Sequence, residues 1–300
     1  MIPSHTPKFS KCILILIIEG DLFPICKLFF LILTGGLWDI LISFDHKIKA
    51  GYMERLDYVN DSLTLIQQTD GLTFGTDALL LAGYISGSFR EGIEIGSGSG
   101  IISLLLLSRN KLLRTTALEV QEEYAHLTER NAEQNGFSER LFAICRDARD
   151  YKSPCDVDLV YTNPPYMKAD SGKSCTLSKK NIARHEICGG IGDFCRAAKR
   201  SLKYGGAFYA VYRPDRLCDL IDEMRKSGIE PKRATFVHAD ERAEPSMVLI
   251  EGRSGGKCGL FLTAPLIIYK DREHKQYTDD MNYIMDTGAF PELFIKRNTK

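Results

Sequence analysis

The sequence lacks any excess of charge. Its 39 lysine and arginine residues balance 39 aspartate and glutamate residues, so the formal net charge of the 300-residue chain is zero. Because the chain has no global positive field, strong non-specific binding of nucleic acid is disfavoured. Zero net charge does not exclude an enzyme that acts on one specific nucleic acid, and its partners have to be inferred from local motifs.

The chain also lacks the cysteine spacing of a metal site or a disulfide framework. It has nine cysteines, an odd number, and none of them form a C-x-x-C pair. We therefore predict no metal and no set of disulfides. Scattered thiols of this kind fit a reducing compartment, and we predict a cytoplasmic protein.

Long uncharged hydrophobic runs are missing as well, although residues 1–52 are unusually apolar. In the apolar stretch 12–41, Glu19, Asp21 and Lys27 interrupt the pattern, and the longest uncharged run, 28–38, is too short for a membrane-spanning helix. Nor does this segment have the layout of a signal peptide. Three interpretations stay open: a start assigned too early, with Met53 the true beginning; a membrane-associated anchor; or an extra structural element.

The composition that is present suits an enzyme domain. Hydrophobic residues make up 44% of the chain and charged residues 26%, which is enough for a substantial core. After Met53, short apolar runs alternate with amphipathic helical patterns. Such alternation predicts an α/β fold with a parallel sheet covered on both faces. Strands are predicted at 92–95, 114–120, 141–146, 156–162, 206–213, 232–239, 247–251 and 260–269, and helices at 78–84, 101–108, 121–135, 193–203 and 216–227.

A glycine-rich turn follows the first of these strands. Residues 94–100 read Glu-Ile-Gly-Ser-Gly-Ser-Gly, so a helix begins directly after glycines that let a ligand approach the backbone. Glu119 ends the next strand, where a carboxylate can accept both ribose hydroxyls of a nucleoside cofactor. The spacing G-x-G-x-G, with Glu94 before it, favours S-adenosylmethionine over a dinucleotide. A plain strand-to-helix turn is the alternative.

The tetrapeptide Asn163-Pro164-Pro165-Tyr166 closes the fourth predicted strand. Two prolines hold the backbone extended and remove two N–H donors, so the loop presents carbonyl groups. The Asn163 side-chain oxygen and the Pro164 carbonyl can both accept from one exocyclic amino group, which localises the nitrogen lone pair. Tyr166 can stack on a planar substrate. The pattern predicts methylation of such a nitrogen, with positioning supplying most of the rate.

Three segments carry a resemblance to a known family. They are residues 71–82 (GLTFGTDALLLA), the turn 94–100 and the tetrapeptide 163–166. The chain resembles class I S-adenosylmethionine-dependent methyltransferases of the amino-methylating group, and more narrowly the bacterial tRNA(Val) adenine-37 N6-methyltransferases. The likeness runs from about Leu56 to about Tyr269, whereas residues 1–52 have no counterpart.

The resemblance implies a Rossmann-like, seven-stranded sheet in the order 3-2-1-4-5-7-6, with the seventh strand antiparallel and helices on both faces. It also implies that Glu94 serves the methionine end of the cofactor and that Asp147 accepts the adenine amino group; a surface aspartate is the alternative for Asp147. Thr76 or Asp77 could equally be the N-cap of a helix. The predicted cofactor-binding residues are Phe74, Thr76, Asp77, Glu94, Gly96, Ser97, Gly98, Gly100, Glu119, Val120, Asp147, Ala148 and Asn163.

A basic segment follows the tetrapeptide. Residues 167–200 hold eight lysines and arginines against three acids. A local excess of positive charge beside a catalytic loop suits a phosphate backbone, although a solvated loop would have the same composition. The predicted RNA contacts are Lys168, Lys173, Lys179, Lys180 and Arg184.

The sequence therefore predicts three parts: an apolar extension (1–52), a methyltransferase domain (53–270) and a C-terminal tail (271–300). The favoured substrate is N6 of adenine in tRNA. Alternative substrates are a protein glutamine side chain and N2 of guanine in rRNA, and the non-enzymatic alternative is an RNA-binding scaffold. DNA adenine methylation would normally need a recognition domain, which the sequence does not show. The oligomeric state and the exact substrate stay open.

Overall fold

The computed structural model describes residues 26–29, 43–46, 54–60, 62–68, 74–164 and 189–296 of the chain. Its strands are β1 Cys26–Phe29, β2 Ser43–His46, β3 Glu54–Asn60, β4 Leu63–Gln68, β5 Phe89–Ile95, β6 Leu112–Glu119, β7 Leu141–Cys145, β8 Val157–Thr162, β9 Leu202–Tyr212, β10 Ile229–His238, β11 Pro245–Ser254, β12 Phe261–Leu262 and β13 Leu266–Ile267. Its α-helices are α1 Thr76–Tyr84, α2 Ile101–Ser108, α3 Glu122–Gln134, α4 Ile191–Ser201, α5 Leu217–Lys226 and α6 Asp279–Thr287.

Nine of the strands form one mostly parallel sheet. Neighbouring strands run β7-β6-β5-β8-β9-β11-β10, and β12 and β13 both pair with β10 at the edge. Strands β5 to β9 are mutually parallel, whereas β11 is antiparallel to both of its neighbours. The α/β fold with a mostly parallel central sheet, predicted from the alternating pattern, is confirmed.

Each face of this sheet carries its own hydrophobic cluster. Alternate residues of a strand point to opposite faces, and β8 shows the consequence: Leu159 and Tyr161 join one cluster, whereas Val160, between them, joins the other. The first cluster packs under α1 and α2, and the second under α4 and α5. Because both faces are covered, the central strands read as nearly continuous apolar runs.

The register at the sheet centre determines where the site lies. In the parallel pair β5–β8, Ile95 lies opposite Thr162, and the Thr162 hydroxyl donates to the Ile95 carbonyl at 2.8 Å. Both strands end there. The glycine-rich turn after β5 and Asn163 after β8 are therefore neighbours at the carboxyl edge of the sheet, where open α/β sheets bind ligands.

Residues 271–296 belong to the same core, although the sequence set them apart as a tail. Helix α6 buries Met281 and Ile284, and Phe290 and Phe294 follow it into the first hydrophobic cluster. The predicted strand 260–269 is two short strands, β12 and β13, interrupted by a stretch that includes Pro265, which has no N–H to donate.

The chain divides into two compact units, residues 1–54 with 68–70 and residues 55–67 with 71–300. What is described in the first unit includes an antiparallel pair, β1 with β2, in which Cys26 lies opposite His46. Within the described ranges of the whole chain, no helix is long and apolar enough to cross a membrane.

Candidate active site

The glycine-rich turn requires glycine for two separate reasons. Gly96, Gly98 and Gly100 all have positive φ, at 73°, 55° and 79°, a region that side chains disfavour. A Cβ on Gly100 would lie 2.8 Å from Cγ2 of Thr128, so this glycine permits close packing against α3. A Cβ on Gly98 would meet no heavy atom of the described residues within 4 Å. The turn is therefore tight against α3 and open at Gly98, where a ligand can approach.

A polar stripe on α3 holds this turn in place. The Thr128 hydroxyl donates to the Gly98 carbonyl at 2.9 Å, and the Asn131 amide donates to the Ser99 carbonyl at 2.9 Å. Asn131 also exchanges hydrogen bonds with the backbone N–H and carbonyl of Ile66 in β4. Asn135 likewise exchanges hydrogen bonds with the backbone N–H and carbonyl of Thr64. These supporting residues were not predicted, although their helical spacing on a buried face could have indicated them.

Glu119 lies beside the open part of the turn, at the end of β6. It is 6% exposed, and its two carboxylate oxygens accept from the N–H groups of Gly98 and Gln121, both at 3.0 Å. An ionised carboxylate has about four lone-pair sites, so Glu119 can also accept ribose hydroxyls. Val120, next in the chain, is half-buried.

Glu94 lies beneath the turn, in the layer between the sheet and α2. It is 1% exposed and accepts from the backbone N–H of Ser103 at 3.2 Å and from the Ser103 hydroxyl. The Ser103 hydroxyl also contacts the Tyr161 hydroxyl at 2.6 Å. Burial raises the pKa of Glu94 to about 8, and the bonds from Ser103 offset part of that effect. Its predicted role at the methionine end of the cofactor stays a prediction.

Asn163 is joined to α1 by a hydrogen bond across 86 positions of sequence. Its side-chain Nδ2 donates to Oδ2 of Asp77 at 2.8 Å. Asn163 is half-buried and Pro164 is buried, whereas Pro165 and Tyr166 lie outside the described residues. The structure thus brings two predicted groups together: the first turn of α1 and the catalytic tetrapeptide.

The predicted N-cap of α1 needs correction. The N-cap is Gly75, and the helix already begins at Thr76. Asp77 accepts from the next N–H, that of Ala78, at 2.9 Å, so its carboxylate lies inside the first turn. Thr76 is exposed and Phe74 half-buried, and the Phe74 N–H donates to the Gln67 side chain at 2.9 Å. The prediction of Thr76 or Asp77 as the N-cap is wrong because the extended backbone of an N-cap occurs at Gly75.

Asp147 follows β7 at the same edge of the sheet. Its carboxylate accepts from both the backbone N–H and the guanidinium of Arg149, and the side-chain bond from Arg149 lowers the pKa of Asp147. The neighbouring carbonyls of Ala148 and Arg149 accept from Arg200. Arg200 thus supports the loop that carries Asp147.

The basic segment is described only in part. The five predicted RNA contacts, Lys168 to Arg184, lie outside the described residues. At its end, Arg196 pairs with Asp193, and Lys199 donates to the Ser254 hydroxyl at 2.7 Å. These two cations of the segment therefore have protein partners.

Taken together, the residues fit a nucleoside-type cofactor at the carboxyl edge of the sheet. The turn is open at Gly98, and carboxylates follow two neighbouring strands, at Glu119 and Asp147. Within the described ranges, no three His, Cys, Asp or Glu side chains are grouped so as to hold a metal ion.

Comparisons with known proteins agree with this geometry. Residues 68–221 match the family model "Methyltransferase small domain". The tRNA1(Val) (adenine(37)-N6)-methyltransferase of Glaesserella parasuis serovar 5 is 32% identical over 244 residues, covering 75% of this chain and 91% of the relative. The protein of the same name from Parabacteroides distasonis is 28% identical over 59% of this chain and 75% of its own length.

A solved structure shares the fold. The crystal structure described as a predicted O-methyltransferase from Agrobacterium tumefaciens superposes with a TM-score of 0.58. It is 21% identical and covers 74% of this chain and all of the other. The family model spans half of the chain and includes the glycine turn, Asp77 and Asn163. The chain therefore belongs to the methyltransferase small domain family, whose methyl donor is S-adenosylmethionine.

Proposed function

We propose that this chain transfers a methyl group from S-adenosylmethionine to N6 of adenine 37 in tRNA1(Val). The observation that carries the proposal is the position of Asn163. It follows β8 directly beside the glycine turn that follows β5, and its amide nitrogen is held by Asp77. An amide oxygen held next to the cofactor turn suits an exocyclic amine.

The protein's part in the reaction is to position the amine and to localise its lone pair. The bound cofactor supplies an electrophilic methyl group on a sulfonium sulfur. The two N–H groups of the adenine amino group would donate hydrogen bonds, one to the Asn163 side-chain oxygen and one to the Pro164 carbonyl. That arrangement would turn the lone pair toward the methyl group. As the N–C bond forms, the sulfonium S–C bond breaks, and the alkylated nitrogen, now acidic, passes one proton to solvent. Holding both reactants in this geometry supplies most of the rate enhancement.

The cofactor residues divide by the strand that each follows. The turn after β5 contains Gly96, Ser97, Gly98 and Gly100. At the end of β6, Glu119 and the next residue, Val120, would serve the ribose. After β7, Asp147 and Ala148 would serve the adenine. Phe74, just before α1, and Thr76, its first residue, would contact the cofactor from that side. We assign Tyr166 to stacking on the target base, and Lys168, Lys173, Lys179, Lys180 and Arg184 to the RNA backbone.

Three further features belong to the proposal. Strands β5 to β11 would be the family's seven strands in the order 3-2-1-4-5-7-6, which the observed pairing supports. Residues 53–270 would form the catalytic domain, whose core is completed by residues 271–296, and residues 1–52 would be an apolar extension. The relatives named for tRNA1(Val) adenine-37 methylation support the substrate, and a tRNA substrate would place the enzyme in the cytoplasm.

An acceptor panel tests the proposal. The protein is incubated with labelled S-adenosylmethionine and, separately, an unmodified tRNA1(Val) transcript, the same transcript with guanosine at position 37, unmodified rRNA and a peptide-release factor. Nucleoside and peptide mass spectrometry identify the product. The proposal expects N6-methyladenosine in the first acceptor and none in the second. Label on guanine of rRNA, on a protein glutamine, or on no acceptor would overturn it.

The role of Asn163 is tested in the same assay. Asn163→Ala should lower turnover about 100-fold or more, as the loss of one preorganised hydrogen-bonding group at a reacting centre does. Binding of S-adenosylhomocysteine, measured by calorimetry, should stay close to that of the wild type. Asn282→Ala, an exposed asparagine on α6, is the matched control and should change neither value. Full turnover by Asn163→Ala would show that the assigned role is wrong.

A further inference from the structure

The catalytic amide has two ends that look alike in shape and differ in chemistry. An asparagine side chain accepts through its oxygen and donates through its NH2 group. To hold an amino group, Asn163 has to present the oxygen. A rotation of the amide by half a turn would present NH2 instead, which would repel the amine. Something must therefore select one orientation.

Asp77 meets that requirement. Its Oδ2 lies 2.8 Å from Nδ2 of Asn163, and a carboxylate accepts hydrogen bonds and has none to donate. An amide that faces Asp77 must turn its NH2 group toward the carboxylate. The oxygen of Asn163 then points away from Asp77.

The carboxylate itself is held on a rigid support. Its other oxygen accepts from the Ala78 N–H at 2.9 Å, and its charge lies in the first turn of α1, where the helix dipole favours an anion. The helix is anchored by Leu80 and Leu81, which are fully buried. The Ala78 hydrogen bond and the buried helix therefore hold the Asp77 carboxylate in place independently of Asn163.

The residue at position 75 leaves room for this carboxylate. A Cβ on Gly75 would lie 2.7 Å from Oδ1 of Asp77, closer than such contacts allow. The φ of Gly75 is −115°, which any residue can adopt, so the backbone does not require glycine there. The requirement comes from the position of the Asp77 carboxylate.

We propose that Asp77 is a positioning residue that fixes the amide orientation of Asn163, so that the asparagine oxygen faces the target amine. This inference rests on the proposed function, and it replaces the prediction of a cofactor contact for Asp77 with a role that acts through Asn163. Asp77 touches neither the cofactor nor the substrate in this account.

A double-mutant cycle tests the inference at saturating S-adenosylmethionine. Asp77→Ala should lower kcat by about 10- to 100-fold, the loss found when an outer-shell residue that orients a metal ligand is removed, since Asp77 orients Asn163 in the same indirect way. In the Asn163→Ala background the same substitution should change kcat less than twofold, about the error of such a comparison. Equal losses in both backgrounds would overturn the inference, because Asp77 would then act independently of Asn163.

Calorimetry with S-adenosylhomocysteine separates the two roles of Asp77. The positioning role expects an unchanged Kd in Asp77→Ala, whereas a cofactor contact expects a higher Kd with kcat unchanged at saturation. The second result would overturn the inference. Asp279→Ala removes a first-turn acid from another helix, α6, and is the matched control for any loss of thermal stability.

A spectroscopic measurement makes the test independent of turnover. The side-chain amide signals of Asn163 in a 15N-labelled protein can be assigned by their loss in Asn163→Ala. They should shift in Asp77→Ala and stay in place in Asp279→Ala. Unshifted signals would overturn the Asp77 inference alone. If the wild-type protein methylates no acceptor while the signals still shift in Asp77→Ala, the proposed function is overturned instead.

Discussion

At the scale of single residues, Gly98 and Gly136 share a backbone conformation and differ in surroundings. Their φ angles are 55° and 72°, and at both positions a Cβ would meet no heavy atom of the described residues within 4 Å. Gly136 follows α3 and only ends the helix, whereas Gly98 faces the space that we assign to the cofactor. Substitutions at these two glycines therefore distinguish the effect of backbone strain from the effect of filling the cofactor space.

We expect Gly98→Ala and Gly136→Ala to cost similar stability, about 1 kcal/mol each, because both place a side chain in the left-handed region. The alanine at 98 alone should weaken S-adenosylhomocysteine binding, by about tenfold or more, since its methyl group blocks the close approach of the ligand. Calorimetry and thermal unfolding measure the two effects. Equal S-adenosylhomocysteine affinity in both variants would show that the cofactor does not bind at this turn.

Glu94 gives a prediction about pH. Burial raises the pKa of Glu94 from 4.5 to about 8, so between these values the folded state binds a proton that the unfolded state has released. The free energy of unfolding should then fall as pH rises through this window. Glu94→Gln has no such proton and should flatten the dependence, by a total on the order of 3 to 5 kcal/mol.

Urea unfolding at pH 5, 6.5 and 8 measures the slope for wild type and Glu94→Gln. Glu133→Gln, at an exposed position of α3, should keep the wild-type slope. An unchanged slope in Glu94→Gln would mean that Glu94 is ionised in the folded protein throughout this pH range.

At the scale of elements, α3 connects β4 to the cofactor turn. Asn131 is fully buried, and its amide satisfies the Ile66 N–H, the Ile66 carbonyl and the Ser99 carbonyl. We expect Asn131→Ala to lower the free energy of unfolding by about 2 to 4 kcal/mol, because it leaves these groups without their partner. It should also weaken cofactor binding, since the turn loses a support.

Gln134→Ala lies on the exposed side of the same helix and serves as the control. It should stay within about 0.5 kcal/mol of the wild type. Urea unfolding and calorimetry measure both variants. Normal stability in Asn131→Ala would show that β4 and the turn do not depend on this helix.

The elements that the sequence predicted well are those whose pattern is local. Helix α2 was predicted with its observed bounds, because an apolar run begins directly after Gly100. Strand β3 was not predicted, since most of its residues are exposed and show no regular alternation. Strand β4 depends on Asn131 and Asn135, which lie 65 and 71 positions away. No local pattern can show such a partner.

At the scale of the whole molecule, the chain after β13 completes the core. Phe294 is fully buried, packs edge-on against Phe290 with ring centroids 5.6 Å apart, and its carbonyl accepts from Arg233 at 2.8 Å. We expect Phe294→Ala to lower the free energy of unfolding by about 3 to 5 kcal/mol.

The neighbouring Leu293 is 42% exposed, so Leu293→Ala should cost less than about 1 kcal/mol. Urea unfolding compares the two variants. Similar small effects at both positions would mean that this segment adds little to the stability of the core.

The candidate site was predictable where it depends on motifs, and hidden where it depends on tertiary contacts. The glycine turn, Glu119 and Asn163 stand at strand ends that hydrophobic patterning reveals. The bond between Asp77 and Asn163 spans 86 positions, and only the packing of α1 against the sheet brings the two residues together. The sequence therefore predicted both partners and assigned Asp77 to the cofactor.

The central claim is that Asn163 and Pro164 hold an adenine amino group beside the cofactor turn. A crystal structure of the protein with S-adenosylhomocysteine and an anticodon stem-loop of tRNA1(Val) tests it most directly. We predict that adenine N6 lies within about 3.2 Å of both the Asn163 Oδ1 and the Pro164 carbonyl oxygen. An adenine bound elsewhere, or an Asn163 amide with its NH2 group toward the base, would contradict the account.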